Sequence, residues 1–384
     1  MKIEFFSDKE KWLFGYKYIT INKPVYRAIY KSNILIINDK IFKTTNPLPI
    51  LEKLILKNKL FAAGFISYDY KKHLFTEKFH KRDDIGLPEI YMILFKFKNF
   101  EPQLKKGKNY SSQIKKIKLP DKNRFIKIVQ KAKEYISEGD IYQVNLAHRI
   151  EIEGFFNTDQ IFRNLIEYQP ASYLMHIQEK DFSLISGSME LFLEKTGNKI
   201  YTKPIKGTRP VGKNYYNELL NSEKERAENL MITDLMRNDL GRIAVAGSVH
   251  VEKLFDIEEY NSLLQMVSTV SAEIDENTLF SHIIKNTFPP GSVTGAPKKR
   301  AIEIIDELEE HRRGVYCGIT FLIKPNLDFV SSVAIRQSIF KKNRAYIYVG
   351  SGIVADSDPK SEYQETILKA KANLQAMGLK LDIL

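Results

Sequence analysis

The sequence predicts an α+β fold with large antiparallel sheets, and three observations carry that reading. Strand-like runs follow one another in groups instead of alternating one for one with helices, which argues against a doubly wound parallel sheet. The chain has 384 residues, 43% hydrophobic and 28% charged, so it can bury a substantial core without a covalent staple. It has one cysteine, Cys317, which excludes an internal disulfide framework and a cysteine-based zinc site. No apolar run approaches the roughly 20 residues that span a bilayer. The opening MKIEFFSDKE places Glu4, Asp8, Lys9 and Glu10 where a signal peptide needs an apolar stretch. A soluble, reduced, cytoplasmic protein with no membrane partner is expected.

Along the chain, short β-rich runs fall at 34–37, 61–70 and 90–97. The stretch 101–120 (EPQLKKGKNYSSQIKKIKLP) is lysine-rich and punctuated by glycine and proline, and reads as a linker. A helix follows over 122–138, with Phe125, Val129, Ala132 and Ile136 as its apolar stripe and Gly139 at the C-terminal cap position. Residues 141–152 alternate as a strand. A second helix over 222–238 opens at Ser222 with Glu225 three residues on, the capping-box spacing. A third spans 297–310 behind Pro297, and a fourth spans 359–377 with Ile367, Ala370 and Leu374 facing inward. The segments 314–323, 329–340 and 345–353 read as strands.

The net charge is +12 and is unevenly spread: residues 1–133 hold 30 Lys and Arg against 12 Asp and Glu. Only 14 of the 59 basic residues are Arg, and the lysines do not alternate with aromatics, so nucleic-acid binding is not expected. A lysine-rich solvated surface is the plainest reading, and a docking face for an acidic partner protein comes second.

Seven histidines and one cysteine offer no transition-metal spacing such as H-E-x-x-H. Carboxylates do pair: Glu225 and Glu228 stand at i, i+3 on one predicted helix, and Glu362 and Glu365 on another. Two such helices face to face would offer an all-oxygen site suited to magnesium. Glu225 is equally explained as a capping residue, and Glu362 as a solvated first-turn acid. The GSVTGAPK loop (291–298) leads into a helix N-terminus that could contact an anion, but it lacks P-loop spacing and a tight turn explains it as well. Gly350-Ser351-Gly352 permits close backbone approach to a ligand, or forms a bulge. Lys206 is fixed between Pro204 and Gly207; a desolvated lysine there could be a nucleophile, although most of 45 lysines are surface charges. Arg336, inside the apolar run SSVAIRQSIF, needs a bound carboxylate or an internal glutamate.

The segments GDIYQVNLAHR, PIKGTRP, KERAENLMITDLMRNDLGRI, FPPGSVTGAPKKRAIEIIDELE, RGVYCGI, AIR and GSGIVADSDPKSEYQE lie in the order and spacing of one family. The chain resembles the chorismate-using enzymes, which include anthranilate, aminodeoxychorismate, isochorismate and salicylate synthases. The likeness is strong from about residue 120 onward and weak before it, through GFISYDY. It implies two large, mostly antiparallel sheets packed as a sandwich with helices outside. It also implies a shortened N-terminal region (1–110) on a chorismate-binding catalytic domain (120–384). By resemblance, Glu228 and Glu365 would coordinate Mg2+, with Glu225 and Glu362 as the accompanying pair. Glu190, in SGSME, would be the general acid for the C4 hydroxyl. Gly207 and Thr208 would contact chorismate, Tyr316 and Arg336 would meet its carboxylate end, and Gly350, Ser351 and Gly352 would close over it.

Two positions choose among family members. Gln143 stands where isochorismate and salicylate synthases carry a water-activating lysine, which disfavours those activities. Lys206 stands where anthranilate synthases carry alanine, so PIKGT resembles the aminodeoxychorismate-forming branch, in which the lysine attacks C2 before ammonia enters at C4. Attack needs a neutral amine, and Arg209 and Lys203 are candidate cations to favour it. The resemblance thus implies amino-group transfer to chorismate for p-aminobenzoate and folate synthesis, with ammonia from a separate glutamine amidotransferase subunit. Anthranilate formation is the rival, and a non-catalytic chorismate-binding subunit the remote alternative. Gln265 replaces a common histidine, Gly187 and Met189 replace a more usual Ser-Pro beside the acid, and no LLES-type feedback segment is present.

Overall fold

The computed structural model describes residues 1–379 apart from 10–11, 13–14, 78, 80, 105–110 and 261–262. Among the described residues two antiparallel sheets, of ten and twelve strands, make up the body. The first sheet runs from Gly295–Ala296 through Gln143–Phe155, Arg344–Ile353, Gln337–Lys341, Ser183–Ser188 and Tyr173–Gln178 to Lys2–Phe6, Tyr18–Ile21 and Phe100–Glu101. The second runs from Ile205–Pro210 through Leu263–Glu273, Lys199–Lys203, Leu191–Thr196, Phe329–Val333 and Ile319–Ile323 to Phe61–Ile66, Ile90–Phe95, Tyr26–Lys31, Ile34–Ile37 and Lys40–Lys43. The N-terminal hundred residues therefore extend both sheets.

Side-chain alternation explains the sandwich. Along the first sheet, Phe5, Met175, Leu184, Ile339 and Tyr346 enter the core shared with Phe65, Tyr91 and Phe321 of the second. Their neighbours Phe6, Leu174, Ile185, Phe340 and Ile347 point the other way, into a core capped by Ile161 and Phe162 of the Thr158–Tyr168 helix and Ile367 and Leu374 near the C-terminus. A period of two places alternate residues on opposite faces, so both faces of this sheet are apolar because both are covered.

Several elements depart from the sequence reading. The run 329–340 is two strands, Phe329–Val333 and Gln337–Lys341, in different sheets, and Arg336 lies in the crossing between them at φ +53. The segment 314–323 is a strand only over Ile319–Ile323, since Gly314 and Cys317 adopt positive φ in a preceding turn. The 61–70 run stops at Ile66, where the Ser67 hydroxyl accepts from the Asp69 amide and starts a 3-10 turn. The 359–377 helix is broken into Pro359–Lys369 and Lys371–Ala376, and at the break the Arg336 guanidinium donates to the Lys369 carbonyl. Within the stretch read as a linker, Gln113–Lys118 forms a strand on Gln143–Phe155, because Ile114 and Ile117 cover apolar surface; residues 105–110 lie outside the described ones. No described helix is long and apolar enough to cross a membrane.

Phe65 is fully buried between the sheets, whereas Ile41 on the edge strand is 69% exposed. Phe65→Ala should cost about 3–5 kcal/mol, and Ile41→Ala within about 0.5 kcal/mol, both read from chemical-denaturation midpoints.

Candidate active site

Two chain segments cross between the sheets side by side. Met189 and Glu190 link Ser183–Ser188 to Leu191–Thr196, and residues 334–336 link Phe329–Val333 to Gln337–Lys341. The crossings are tied together: the Val333 amide donates to the Glu190 carbonyl at 3.1 Å and the Gly187 amide to the Arg336 carbonyl at 3.1 Å. The Ser188 hydroxyl accepts from the Glu190 amide at 3.2 Å, fixing the turn. Glu190 is buried, and burial pushes its carboxyl up to about 7 against the opposing pull of the Ser292 hydroxyl and the Lys206 ammonium. It can therefore carry a proton near neutral pH, where an ordinary carboxyl is ionised.

Lys206 lies on Ile205–Pro210 and reaches Glu228, with Nζ 3.9 Å from Oε2. It also lies against Gly352, where a Cβ would come 3.1 Å from Nζ and overlap the Gln143 amide. Gly207, at φ +83, packs on the Glu223–Gly241 helix, where a Cβ would sit 3.1 Å from Glu225 Oε2. Thr208 pairs with Gln265 and is exposed. Arg209 and Lys203, read as cations beside Lys206, are directed elsewhere: Arg209 pairs with Glu218 at 2.8 Å and Glu225 at 3.3 Å, and Lys203 with Glu258 at 2.6 Å.

Lys206 acts electrostatically on acids of both predicted helices, Glu228 on one and Glu365 on the other. Ser222 caps the first by accepting from the Glu225 amide, and the Glu225 carboxylate turns outward to Arg209. Burial pushes Glu228 up; Lys206 opposes this, while Glu225 and Glu362 add to it as like charges. Asp358 caps the second helix. Glu362 on it is buried, not solvated as its position suggested; it accepts from the Ser357 hydroxyl at 2.7 Å, and its Oε2 has no partner. Burial raises Glu365 as well, but the Lys369 ammonium at 2.6 Å holds it below the usual carboxylate range. Four carboxylates and an orphaned buried oxygen suit a hard divalent cation. No three of the four bring ligand atoms within 4.8 Å of one another; among the described residues the group that does is Glu4, Asp159 and His176, where Lys2 lies 2.9 Å from Glu4 and 2.7 Å from Asp159. An ammonium already balances that second group.

At the other end, Tyr316 is buried and stacks on Tyr348 at 5.5 Å, and a Cβ on Gly350 would come 3.0 Å from its hydroxyl. Gly350, Ser351 and Gly352 pair with Ala147, Leu146 and Asn145. Arg336 has no carboxylate within 4.0 Å among the described residues, and burial lowers its guanidinium from the usual value. Gln143 Oε1, Asn145 Nδ2, Gln265 Oε1, both polar atoms of Gln337 and Ser351 Oγ are buried without partners. Gln143 and Asn145, Ser351 and Gln337 stand on three neighbouring strands, where a polar ligand would meet unpartnered donors and acceptors. Ser292, Lys369, Asn145 and Gln337 were not singled out in the sequence, although the i, i+4 spacing of Glu365 and Lys369 was visible there. Cys317 is buried with its thiol pushed up to about 12 by burial, which removes it as a nucleophile.

A family model described as chorismate binding enzyme matches residues 60–375. Aminodeoxychorismate synthase component 1 of Bacillus subtilis (strain 168) is 35% identical over 361 residues, covering 83% of this chain and 77% of that protein. Anthranilate synthase component 1 of Archaeoglobus fulgidus is 34% identical over 382 residues, covering 95% and 92%. The crystal structure of anthranilate synthase component I from Streptococcus pneumoniae TIGR4 superposes with a TM-score of 0.81 at 28% identity, over 92% of this chain and 91% of that one. The match runs through both sheets and every residue of the cleft, and the chain belongs to the chorismate-binding enzyme family.

Proposed function

We propose that the chain is the synthase subunit that converts chorismate and ammonia to 4-amino-4-deoxychorismate. The observation that carries this reading is the placement of Lys206 between Glu190 and Glu228 and against Gly352. Relatives named for aminodeoxychorismate and for anthranilate synthesis are equally similar, so the chemistry of this lysine, not overall identity, favours C4 amination over C2 amination.

Lys206, an ammonium beside Glu228 at rest, first sheds a proton to water; the freed amine attacks C2 of the ring, the two ring double bonds shift, and the C4–O bond breaks. Protonated Glu190 delivers its proton to the departing oxygen, which leaves as water. Ammonia then attacks C4, the double bonds shift back, and the C2–N bond to Lys206 breaks. The Glu190 carboxylate takes the proton shed by the entering nitrogen, so chorismate and ammonia give aminodeoxychorismate and water. Arg336, which has no carboxylate within 4.0 Å among the described residues, takes the pyruvyl carboxylate, with Tyr316 and the 350–352 backbone closing on it. Thr208 and Gly207 line the ring. Glu228 and Glu365, with Glu225 and Glu362, would hold magnesium, which when bound neutralises the ring carboxylate. Ammonia comes from a separate glutamine amidotransferase subunit, and the product leads to p-aminobenzoate and folate.

Lys206→Ala should lower aminodeoxychorismate formation by about 100-fold or more, since covalent catalysis is lost. Mass spectrometry of the products should find residual amination shifted to C2; an unchanged product at the wild-type rate would sink the assignment. Glu190 must be protonated to act, and its carboxyl is raised to about 7, so kcat/KM for chorismate should fall as pH rises through that value. Glu190→Gln should abolish that limb of the pH profile along with most of the rate. The purified chain should turn over chorismate with ammonium and magnesium but should not use glutamine until an amidotransferase subunit is added, as a coupled assay would show.

A further inference from the structure

Lys369 links three groups that the sequence treats separately. Its Nζ lies 2.6 Å from Glu365 Oε1 and donates to the Gly350 carbonyl at 3.0 Å, while its own carbonyl accepts from Arg336. It therefore stands between the acidic end of the cleft and the end that faces the substrate carboxylate. Across the cleft Lys206 makes the matching contact with Glu228. An ammonium thus addresses the second glutamate of each helix, and the four carboxylates stay spread apart.

We propose that Lys369 competes with the divalent cation for Glu365, and that cation binding hands its ammonium to the substrate carboxylate. The inference rests on the reading of the four glutamates as a cation site. A carboxylate oxygen at contact distance from an ammonium cannot also ligate a divalent ion without forcing two positive centres together, a short-range repulsion that persists although Glu365 is 53% exposed. The ammonium must leave Glu365 as the ion arrives. Its backbone is fixed in the helix and by Arg336, so its stem can swing but not withdraw. The partner it retains is the Gly350 carbonyl, beside Tyr316. There it adds a second positive charge to the end of the cleft where Arg336 has no carboxylate within 4.0 Å among the described residues. Binding of the ion and of the substrate is then coupled, and the coupling is reciprocal.

Calorimetric titration of the full chain with Mn2+ tests this without turnover. Lys369→Met keeps the stem and removes the charge, and should bind Mn2+ about tenfold tighter than wild type, the effect expected of deleting one adjacent like charge. Mn2+ should tighten chorismate binding, measured without ammonia, by several-fold in wild type and by much less in the variant. Equal or weaker Mn2+ binding by Lys369→Met would overturn the competition. Chorismate coupling that is undiminished in the variant would overturn the transfer. Absence of Mn2+ binding to wild type at millimolar concentration would instead remove the cation site itself, and the inference with it. Thermal melts verify that the variant is folded, and Lys369→Gln carries the same test if the methionine variant is not.

Discussion

The site depends on one constraint, the need to pass the chain twice from one sheet to the other at the same place. A strand that stayed in its sheet would continue the two-residue alternation and bury or expose every second side chain without exception. By crossing at 189–190 and at 334–336, the chain releases Glu190 and Arg336 from that alternation, leaving Glu190 buried beside Ser292 and Lys206 and the Arg336 guanidinium free to reach the Lys369 carbonyl. The hydrogen bonds from Val333 to Glu190 and from Gly187 to Arg336 satisfy the backbone groups that the crossings take out of the ladders. Gly187 is where a side chain would strike, because a Cβ there would meet Leu165 at 3.0 Å and the Arg336 carbonyl at 3.4 Å.

Helices then bring charge to the gap. The Glu223–Gly241 helix is anchored at its far end by the buried pair of Asp239 and Lys298, whose ammonium also donates to the Thr287 carbonyl at 2.7 Å. Gly291 packs on the same helix, where a Cβ would meet Leu235 at 2.7 Å. The loop carrying Ser292 is therefore held in register with the helix carrying Glu228. The Arg313 guanidinium completes the frame, donating to Glu309 and to the Val293 and Asn145 carbonyls, which joins this loop to the strand that carries Gln143. Breaking either buried pair would strand an unpaired charge, so both act as fixed struts.

The fold class was legible because periodicity and grouping of strands are local properties of sequence. The helix at Lys122–Ser137 was legible for the same reason: Asp121 caps it, Phe125, Val129 and Ala132 are buried, and Gly139 takes φ +84. The glutamate pairs were legible from helical spacing alone. Sheet changes were not. The run 329–340 alternates well enough for one strand, and only tertiary packing turns it at Arg336. The helix break near residue 370 likewise has no glycine or proline to announce it; it falls where Arg336, distant in sequence, binds a helix carbonyl. Glu362 looked solvated because first-turn acids usually are, and its burial follows from packing against Ser357. Roles beyond spacing came from family resemblance, which transfers chemistry that no single-residue pattern contains.

The remaining step is how one cleft keeps carboxylates in different protonation states. Glu190 has burial on all sides, one hydroxyl and one ammonium, and burial wins, so its carboxyl is raised to about 7. Glu365, at the open side, contacts Lys369 directly and remains an anion. Glu228 lies between these cases, raised by burial and by its acidic neighbours, and is the carboxylate that gains most from a cation. Depth in the cleft thus sorts a carboxyl whose proton affinity is raised from one that stays ionised. The cations that act on Glu228 and Glu365 are Lys206, Lys224 and Lys369, all from the second half of the chain and none from its basic first third. Overall charge describes the surface, and local pairing decides the chemistry.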